Sequence, residues 1–153
     1  MLITTWKHFG IQQLKLTISM IQLRIPFEIK NPFLPIFNDY QKRLRWKFSV
    51  INSKASNLLA NTTKDDFIIA LDIYGQEMGS VEFSSLITSH LAKYKNIIFI
   101  IGGDTGIDEQ TRNAADFKIS FGRHTWPHQL CSVMLIEQIY RAEMIANHHP
   151  YHK

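Results

Sequence analysis

Hydrophobic and polar positions along this chain predict short strands separated by helices. Residues 14–20 and 46–50 alternate apolar with polar side chains, which is the period of a strand that has one wetter face. Residues 67–71 and 97–101 are apolar throughout, as expected of central parallel strands that are covered on both faces. The alternation of strands and helices predicts an α/β domain built on a parallel sheet.

Segments whose apolar residues repeat with the period of a helix lie between these strands. Residues 80–94 carry apolar side chains on one face, with Ser80 as a candidate N-cap, and supply the crossover that parallel strands need. Further helices are predicted for residues 37–45 and 108–115, the second followed by a strand at 118–121. The last helix, 128–147, is apolar on nearly every side, so we expect burial on nearly every side, with a homodimer interface as its second cover.

Length and composition are those of one domain. The chain has 153 residues, of which 45% are hydrophobic and 20% charged. We expect a single domain over 1–153, with residues 1–12 as an N-terminal extension ahead of the first strand. Apolar runs are shorter than the roughly 20 residues of a spanning helix, and no secretory signal is evident. A single cysteine, Cys131, makes no internal disulfide, which favours the cytoplasm.

Positive charge is concentrated in the first third of the chain. Residues 1–54 carry 9 basic and 2 acidic side chains, a balance of +7, whereas residues 55–153 carry 8 and 11, a balance of −3. The densest run, residues 41–47, holds Trp46 among four cations. Such a run can neutralise phosphates and stack on a base. The alternative is a solvated helix end that leads into a strand, with Trp46 in the core.

Three strand ends carry residues suited to a ligand. Gly102, Gly103 and Gly106 follow the strand at 97–101, where they either let a ligand approach the backbone or form a tight turn. Leu71-Asp72 ends another strand, and the loop 121–128 follows the third. Open α/β sheets bind ligands at the carboxyl ends of their strands. A loop that mixes Phe, Gly, Thr and Trp supplies apolar walls and backbone hydrogen bonds for an adenine ring.

Histidines gather toward the end of the chain. His124 and His128 are four residues apart, but Pro127 argues against one helix through both, and no second cysteine or acidic partner is suitably placed. We therefore expect no metal. The final His148-His149-Pro150-Tyr151-His152-Lys153 would be a frayed tail in most chains.

The segments IIFIIGGDTG, SFGRHTWPHQL and MLIEQIYRAEMIANHHPYHK, in this order, resemble the RlmH family. These are SPOUT-class methyltransferases that use S-adenosylmethionine to methylate a pseudouridine of large-subunit ribosomal RNA. The resemblance implies a SPOUT-type parallel sheet with a C-terminal trefoil knot, a homodimer whose opposite subunit completes the RNA site, and ribosomal RNA in the assembled ribosome as partner. It also implies these cofactor contacts: Leu71, Gly102, Phe121, Gly122, Arg123, His124, Thr125 and Trp126.

The same resemblance places the tail at the active site. Methylation at N3 of pseudouridine requires loss of the imide proton, and an imidazole, which titrates near neutrality, suits that task. The catalytic candidates are therefore His152, Tyr151 and Arg141. His152 would be the general base, and Tyr151 would stack on the pseudouridine or orient the imidazole. Arg141 either pairs with Glu137 one turn away or lies beside the RNA.

Two departures from the family pattern favour an alternative function. The stretch between Ile51 and Leu58 is shorter than the family's basic helix, and Ser132 stands where the family usually has arginine. The alternative is a catalytically degenerate SPOUT protein that binds RNA or cofactor without turnover.

Overall fold

A computed structural model describes residues 19–153 as one parallel sheet flanked by helices. The strands are β1 (Met20–Ile25), β2 (Phe48–Asn52), β3 (Asp66–Gln76), β4 (Asn96–Ile100) and β5 (Phe117–Ile119). The helices are α1 (Phe33–Arg43), α2 (Ser80–Leu91), α3 (Glu109–Ala114) and α4 (His128–Ala146), with a 3₁₀ turn at Ala55–Asn57. The strand order is β2-β1-β4-β3-β5, and every neighbouring pair is parallel.

Both faces of the central strands are covered, which explains why their sequences are apolar throughout. Phe67 and Ile69 of β3 point to the face on which α1, α2 and α4 pack. Ile68 and Ala70, the alternate positions, point to a smaller core that Leu58 and the start of α3 close. The predicted α/β class and parallel sheet are confirmed. The trefoil knot stays a prediction.

The first strand of the described chain differs from the prediction. Most of the predicted strand 14–20 lies outside the described residues, and β1 begins where that prediction ends. Arg24 is a charged residue inside β1, yet it is only 7% exposed. Its Nη1 atom donates to the carbonyls of Leu58 (3.0 Å) and Ala60 (2.8 Å). Burial lowers the pKa of Arg24, and the charge of Asp66 opposes that effect.

Two predicted helix starts are corrected. α1 begins at Phe33, one turn before the expected position, because Pro32 lies at the N-cap and Pro35 in the first turn, where proline's missing N–H costs nothing. The N-cap of α2 is Gly79 and not Ser80: its N–H donates to Glu82 Oε2 at 2.8 Å. The predicted helix at 108–115 is confirmed, with Asp108 as its cap.

The last helix, α4, packs against both α1 and α2. None of its residues up to Ile145 is exposed within the single chain, so much of the cover that we assigned to a second subunit comes from this chain itself. The carboxylate of Glu143, only 1% exposed, accepts the backbone N–H of Arg45 and of Trp46. The described part of the chain has no helix long and apolar enough to cross a membrane.

Candidate active site

A cavity of about 290 Å³ opens where three strand ends converge. Its walls come from the segments after β3, β4 and β5, as the rule for ligand sites in open α/β sheets predicts. The cavity gathers seven of the eight cofactor residues named from the sequence: Leu71, Gly102, Phe121, Gly122, His124, Thr125 and Trp126. Arg123, the eighth, is exposed and does not line the cavity.

The glycine turn after β4 is required by the chain's own backbone. A Cβ on Gly102 would lie 2.2 Å from the carbonyl carbon of Gly106, far inside van der Waals contact. Gly106 has a φ of +76°, and its N–H donates to the carbonyl of Gly103 at 2.9 Å. The tight-turn interpretation therefore accounts for these glycines without a ligand.

The loop after β5 is held by contacts within itself. Gly122 has a φ of +101°, and its N–H donates to Ser120 Oγ at 3.2 Å. The indole N–H of Trp126 donates to the carbonyl of Phe121 at 3.3 Å, which folds the loop back over the cavity. Phe121 and Trp126, the aromatic walls that the sequence suggested, both line the cavity.

Sequence reasoning missed a charged pair in the cavity wall. Asp72, whose side chain is 2% exposed, accepts a hydrogen bond from Arg112 Nε at 2.5 Å and from the N–H of Tyr74 at 3.0 Å. Burial alone would raise the pKa of Asp72, but these two hydrogen bonds and the charges of Arg112 and Lys118 lower it overall. The sequence gives no local signal for this pair, because 40 residues separate its members.

Two histidines line the cavity without forming a metal site. His128 Nδ1 lies 3.0 Å from Asp104 Oδ1, and its ring packs on Phe27 at 4.1 Å between centroids. His124 lies edge-on to Trp126. Across residues 19–153, no group of three His, Cys, Asp or Glu side chains is arranged to hold a metal ion. Cys131 also lines the cavity, and burial raises the pKa of its thiol.

A second, larger cavity of about 610 Å³ shares the wall formed by residues 119–122. Its apolar lining includes Phe83 and Met134, and its polar lining includes Tyr40 and Glu137. Glu137 connects this cavity to the C-terminal tail.

The tail is packed on α1 and α4. Tyr151 donates its hydroxyl to Glu137 Oε1 at 3.0 Å and lies 3.3 Å from the hydroxyl of Tyr40. Its ring meets Tyr140 edge-on, with Arg141 above it. Burial, followed by these two hydrogen bonds, raises the pKa of Tyr151 well above its usual value, so the phenol is neutral at physiological pH. None of the three catalytic candidates lines the smaller cavity.

Arg141 connects the tail's tyrosine and histidine. It pairs with Glu137 at 2.5 Å, the structural alternative given in the sequence analysis, and the hydrogen bonds that it donates to Glu137 raise its pKa. Its Nη1 also lies 3.3 Å from His152 Nδ1. Guanidinium only donates, so Nδ1 must accept and the neutral ring carries its proton on Nε2.

The basic run and the two departures from the family pattern also have structural accounts. Trp46 packs against the main core, as predicted by the alternative in which this run is a solvated helix end. The four cations around Trp46 are exposed. The stretch between β2 and β3 holds only the turn Ala55–Asn57 in place of a basic helix. Ser132 is fully buried, and its hydroxyl donates to the carbonyl of His128 at 3.1 Å. The serine at this position, where the family usually has arginine, therefore leaves no unpaired polar group in the described part of the core.

Comparison with known proteins identifies the class. The family model described as "Predicted SPOUT methyltransferase" matches residues 16–152. A solved structure, that of a probable methylase family protein from Haemophilus influenzae Rd KW20, shares the fold with a TM-score of 0.55. The likeness covers 89% of this chain and 70% of that one, at 9% sequence identity, and supports the fold alone.

Closer relatives narrow the class. Ribosomal RNA large subunit methyltransferase H of Carboxydothermus hydrogenoformans is 44% identical over 105 residues, which are 68% of this chain and 66% of that protein. The protein of the same name from Clostridium botulinum strain Langeland is 46% identical over 107 residues, 69% and 67% of the two chains. The match thus spans about two thirds of these relatives. The chain belongs to the SPOUT methyltransferases and, among them, to the RlmH family.

Proposed function

We propose that this protein is an S-adenosylmethionine-dependent methyltransferase that methylates N3 of a pseudouridine in 23S ribosomal RNA of the large ribosomal subunit, with the assembled ribosome as its substrate. The observation that carries the proposal is the convergence of seven expected cofactor residues in one cavity at the strand ends of a SPOUT-family chain. The relatives' name, ribosomal RNA large subunit methyltransferase H, supports the substrate class. A ribosomal substrate and the lone cysteine favour the cytoplasm.

The residues of the smaller cavity fit the cofactor. Its volume, about 290 Å³, is at the lower end of the range of small-molecule sites. Leu71, Ile107 and Phe121 offer apolar walls for a nucleoside, and Arg112 adds a positive charge to the lining. The cofactor supplies an electrophilic methyl group, and the protein's part is to position it and exclude water.

Cys131 offers a direct test of cofactor binding. It lines the cavity and is the chain's sole cysteine, so a bound cofactor should slow its alkylation. Mildly alkaline buffer is needed because the raised pKa keeps the thiol protonated. Alkylation followed by mass spectrometry should be slowed by S-adenosylmethionine in proportion to occupancy, and not by methionine. Equal rates with and without the cofactor would remove the cavity assignment.

His152 is our candidate for the group that removes the N3 proton. In the present arrangement its Nδ1 lone pair faces Arg141. When the tail separates from Arg141 on meeting RNA, Nδ1 is free to accept the proton, and Arg141 is free to contact phosphate. Tyr151, neutral and flat, then stacks on the base or orients the imidazole. The four exposed cations around Trp46 are the candidate contacts for the RNA backbone.

A homodimer is part of the proposal. Ile36, which is 50% exposed, lines the larger cavity together with the half-buried Val133 and Met134 of α4, and Val81 of α2 is 55% exposed. A second copy that covers this face would bring its own tail and strand ends to the same region. Sedimentation at micromolar concentration should show a dimer, and a stable monomer would contradict it.

A methyl-transfer assay on ribosomes distinguishes the proposed enzyme from the alternative, a degenerate protein that binds without turnover. The comparisons give that alternative no support, and the buried Ser132 is satisfied within its helix. Methyl-labelled S-adenosylmethionine should transfer its label to RNA in assembled ribosomes that lack the modification. Cofactor binding without any transfer to ribosomes, subunits or free ribosomal RNA would instead establish the degenerate protein.

A further inference from the structure

We propose that Arg112 binds the carboxylate of the methionine part of the cofactor, so that the cavity selects ligands that carry this carboxylate. The inference deepens the proposed function and rests on it. It concerns a residue that the sequence did not single out and that reaches the cavity from the short helix α3.

The geometry of Arg112 leaves its outer face available to a ligand. Arginine has five N–H donors in a planar fork, and Arg112 uses Nε to hold Asp72 at 2.5 Å. Within residues 19–153, its Nη1 and Nη2 atoms make no hydrogen bond, and its side chain is 39% exposed. The two terminal nitrogens together match the two oxygens of a carboxylate.

Asp72 orients this arginine and is itself unavailable to a ligand. One of its oxygens accepts from the N–H of Tyr74 at 3.0 Å and the other from Arg112, and the side chain is 2% exposed. A guanidinium held in this way loses less conformational entropy when it binds an anion than a free one does. The pairing with the buried Asp72 thus preorganises one donor group at the cavity wall.

The charges around the cavity favour a carboxylate at this position. Among the described residues that line it, Arg112 is the one with a permanent positive charge. The other carboxylate in the lining, Asp104, is exposed and contacts His128, on the α4 side of the cavity. Lys118 lies behind Arg112, with Nζ 3.5 Å from its backbone carbonyl, and does not line the cavity.

Arg112 has one competing role, which is to fasten the segment 72–74 through Asp72. That role makes a different prediction, because a loosened segment would weaken every ligand of the cavity alike. Direct recognition weakens only the ligands that carry the carboxylate. Decarboxylated S-adenosylmethionine separates the two roles, since it keeps the nucleoside, sulfonium and amine and lacks only the carboxylate.

The experiment is titration calorimetry of both ligands with the wild-type protein and with Arg112→Gln. We expect the wild type to prefer S-adenosylmethionine, and the variant to lose roughly tenfold to hundredfold of that affinity, the range for a hydrogen bond to a charged group. Its affinity for the decarboxylated ligand should stay unchanged. Because the two ligands are compared on one protein, any loss of stability affects both equally.

Two further variants complete the design. Lys118→Gln removes a nearby positive charge from outside the cavity and should keep the wild-type preference; an equal loss there would assign the effect to the general field and overturn the proposal. If Arg112→Gln does not fold because the carboxylate of Asp72 is left unpaired, Asp72→Asn combined with Arg112→Gln replaces the pair by two amides.

The outcomes are separable from those of the proposed function. A wild-type protein that binds neither ligand contradicts the proposed function itself. A wild type that binds both equally, or an Arg112→Gln variant that loses both equally, overturns the role of Arg112 and leaves the methyltransferase proposal standing.

Discussion

The smaller cavity at the strand ends and the C-terminal tail are built by different means. The cavity is shaped by backbone: strand ends, a turn in which Gly102 leaves no room for a Cβ, and a loop bonded to itself. The tail is held by side chains, since Glu137, Arg141 and Tyr151 form one polar cluster. A region fixed by backbone binds in a preformed shape, whereas a region fixed by a few partly exposed polar contacts is able to rearrange. In the proposed function, the first region binds the cofactor and the second removes the proton.

The largest expected effect is that of His152→Ala. If the tail supplies the base, turnover on ribosomes should fall by about 10²–10⁴-fold while cofactor affinity stays near wild type. Single-turnover kinetics on ribosomes provide the measurement.

Tyr151→Phe is the matched control for the tail. It should cost less than His152→Ala if the ring stacks on the base, and a comparable amount if its hydroxyl orients the imidazole. A His152→Ala enzyme that works at full rate would leave the tail as a positioning element, with RNA or water as the base.

The cavity should be most sensitive to Gly102→Val. The added Cβ would meet the Gly106 carbonyl, so we expect the turn to open and the free energy of unfolding to drop by about 3 kcal/mol, the upper range for overpacking. Cofactor affinity should fall with it. Gly79→Ala is the control, because a Cβ there has ordinary contact with Glu82. Equal unfolding midpoints in denaturant for both variants would show that the turn is not rigid.

A smaller effect is expected for Glu137→Gln. Arg141 would lose its charged partner and Tyr151 its strong acceptor, so we expect about tenfold lower turnover and a loss of about 1 kcal/mol in unfolding free energy. Asp39→Asn breaks an exposed pair of the same spacing with Arg43 and should change stability by less than about 0.5 kcal/mol. Equal losses of stability in the two variants would remove the special role of the tail cluster.

The smallest effect concerns acid stability. Asp72 has a folded pKa below its usual 3.8, so its contribution is complete above that value and disappears as pH falls through the folded pKa. Urea unfolding from pH 5 downward should therefore show a shallower loss of stability in Asp72→Asn than in the wild type. Parallel curves for the two proteins would mean that folding does not lower the pKa of Asp72.

The same contrast explains what the sequence predicts well. The apolar strands β3 and β4 and the long helix α4 are local patterns, and the structure has them within a few residues. The expected cofactor residues were named through a family resemblance, and the strand-end rule explains why they converge.

The sequence could not predict the contacts that join residues far apart in the chain. Nothing near Arg24 in the sequence indicates its burial, because its acceptors at Leu58 and Ala60 lie 34 and 36 residues away. The local pattern of the tail likewise does not show what holds it, since Tyr151 meets Tyr40 across 111 residues. Arg112 was missed because Asp72 is far away in the chain. Local sequence patterns do not predict the partners of buried or half-buried charged residues.

The most direct measurement of the central claim is the identity of the methylated nucleoside. Ribosomes that lack the modification would be incubated with the wild-type protein and methyl-labelled S-adenosylmethionine, and the 23S RNA digested for chromatography and mass spectrometry. We expect one labelled product, N3-methylpseudouridine, formed in assembled ribosomes and in far lower yield with His152→Ala. Label in any other nucleoside, or none in ribosomal RNA, would contradict the proposed function.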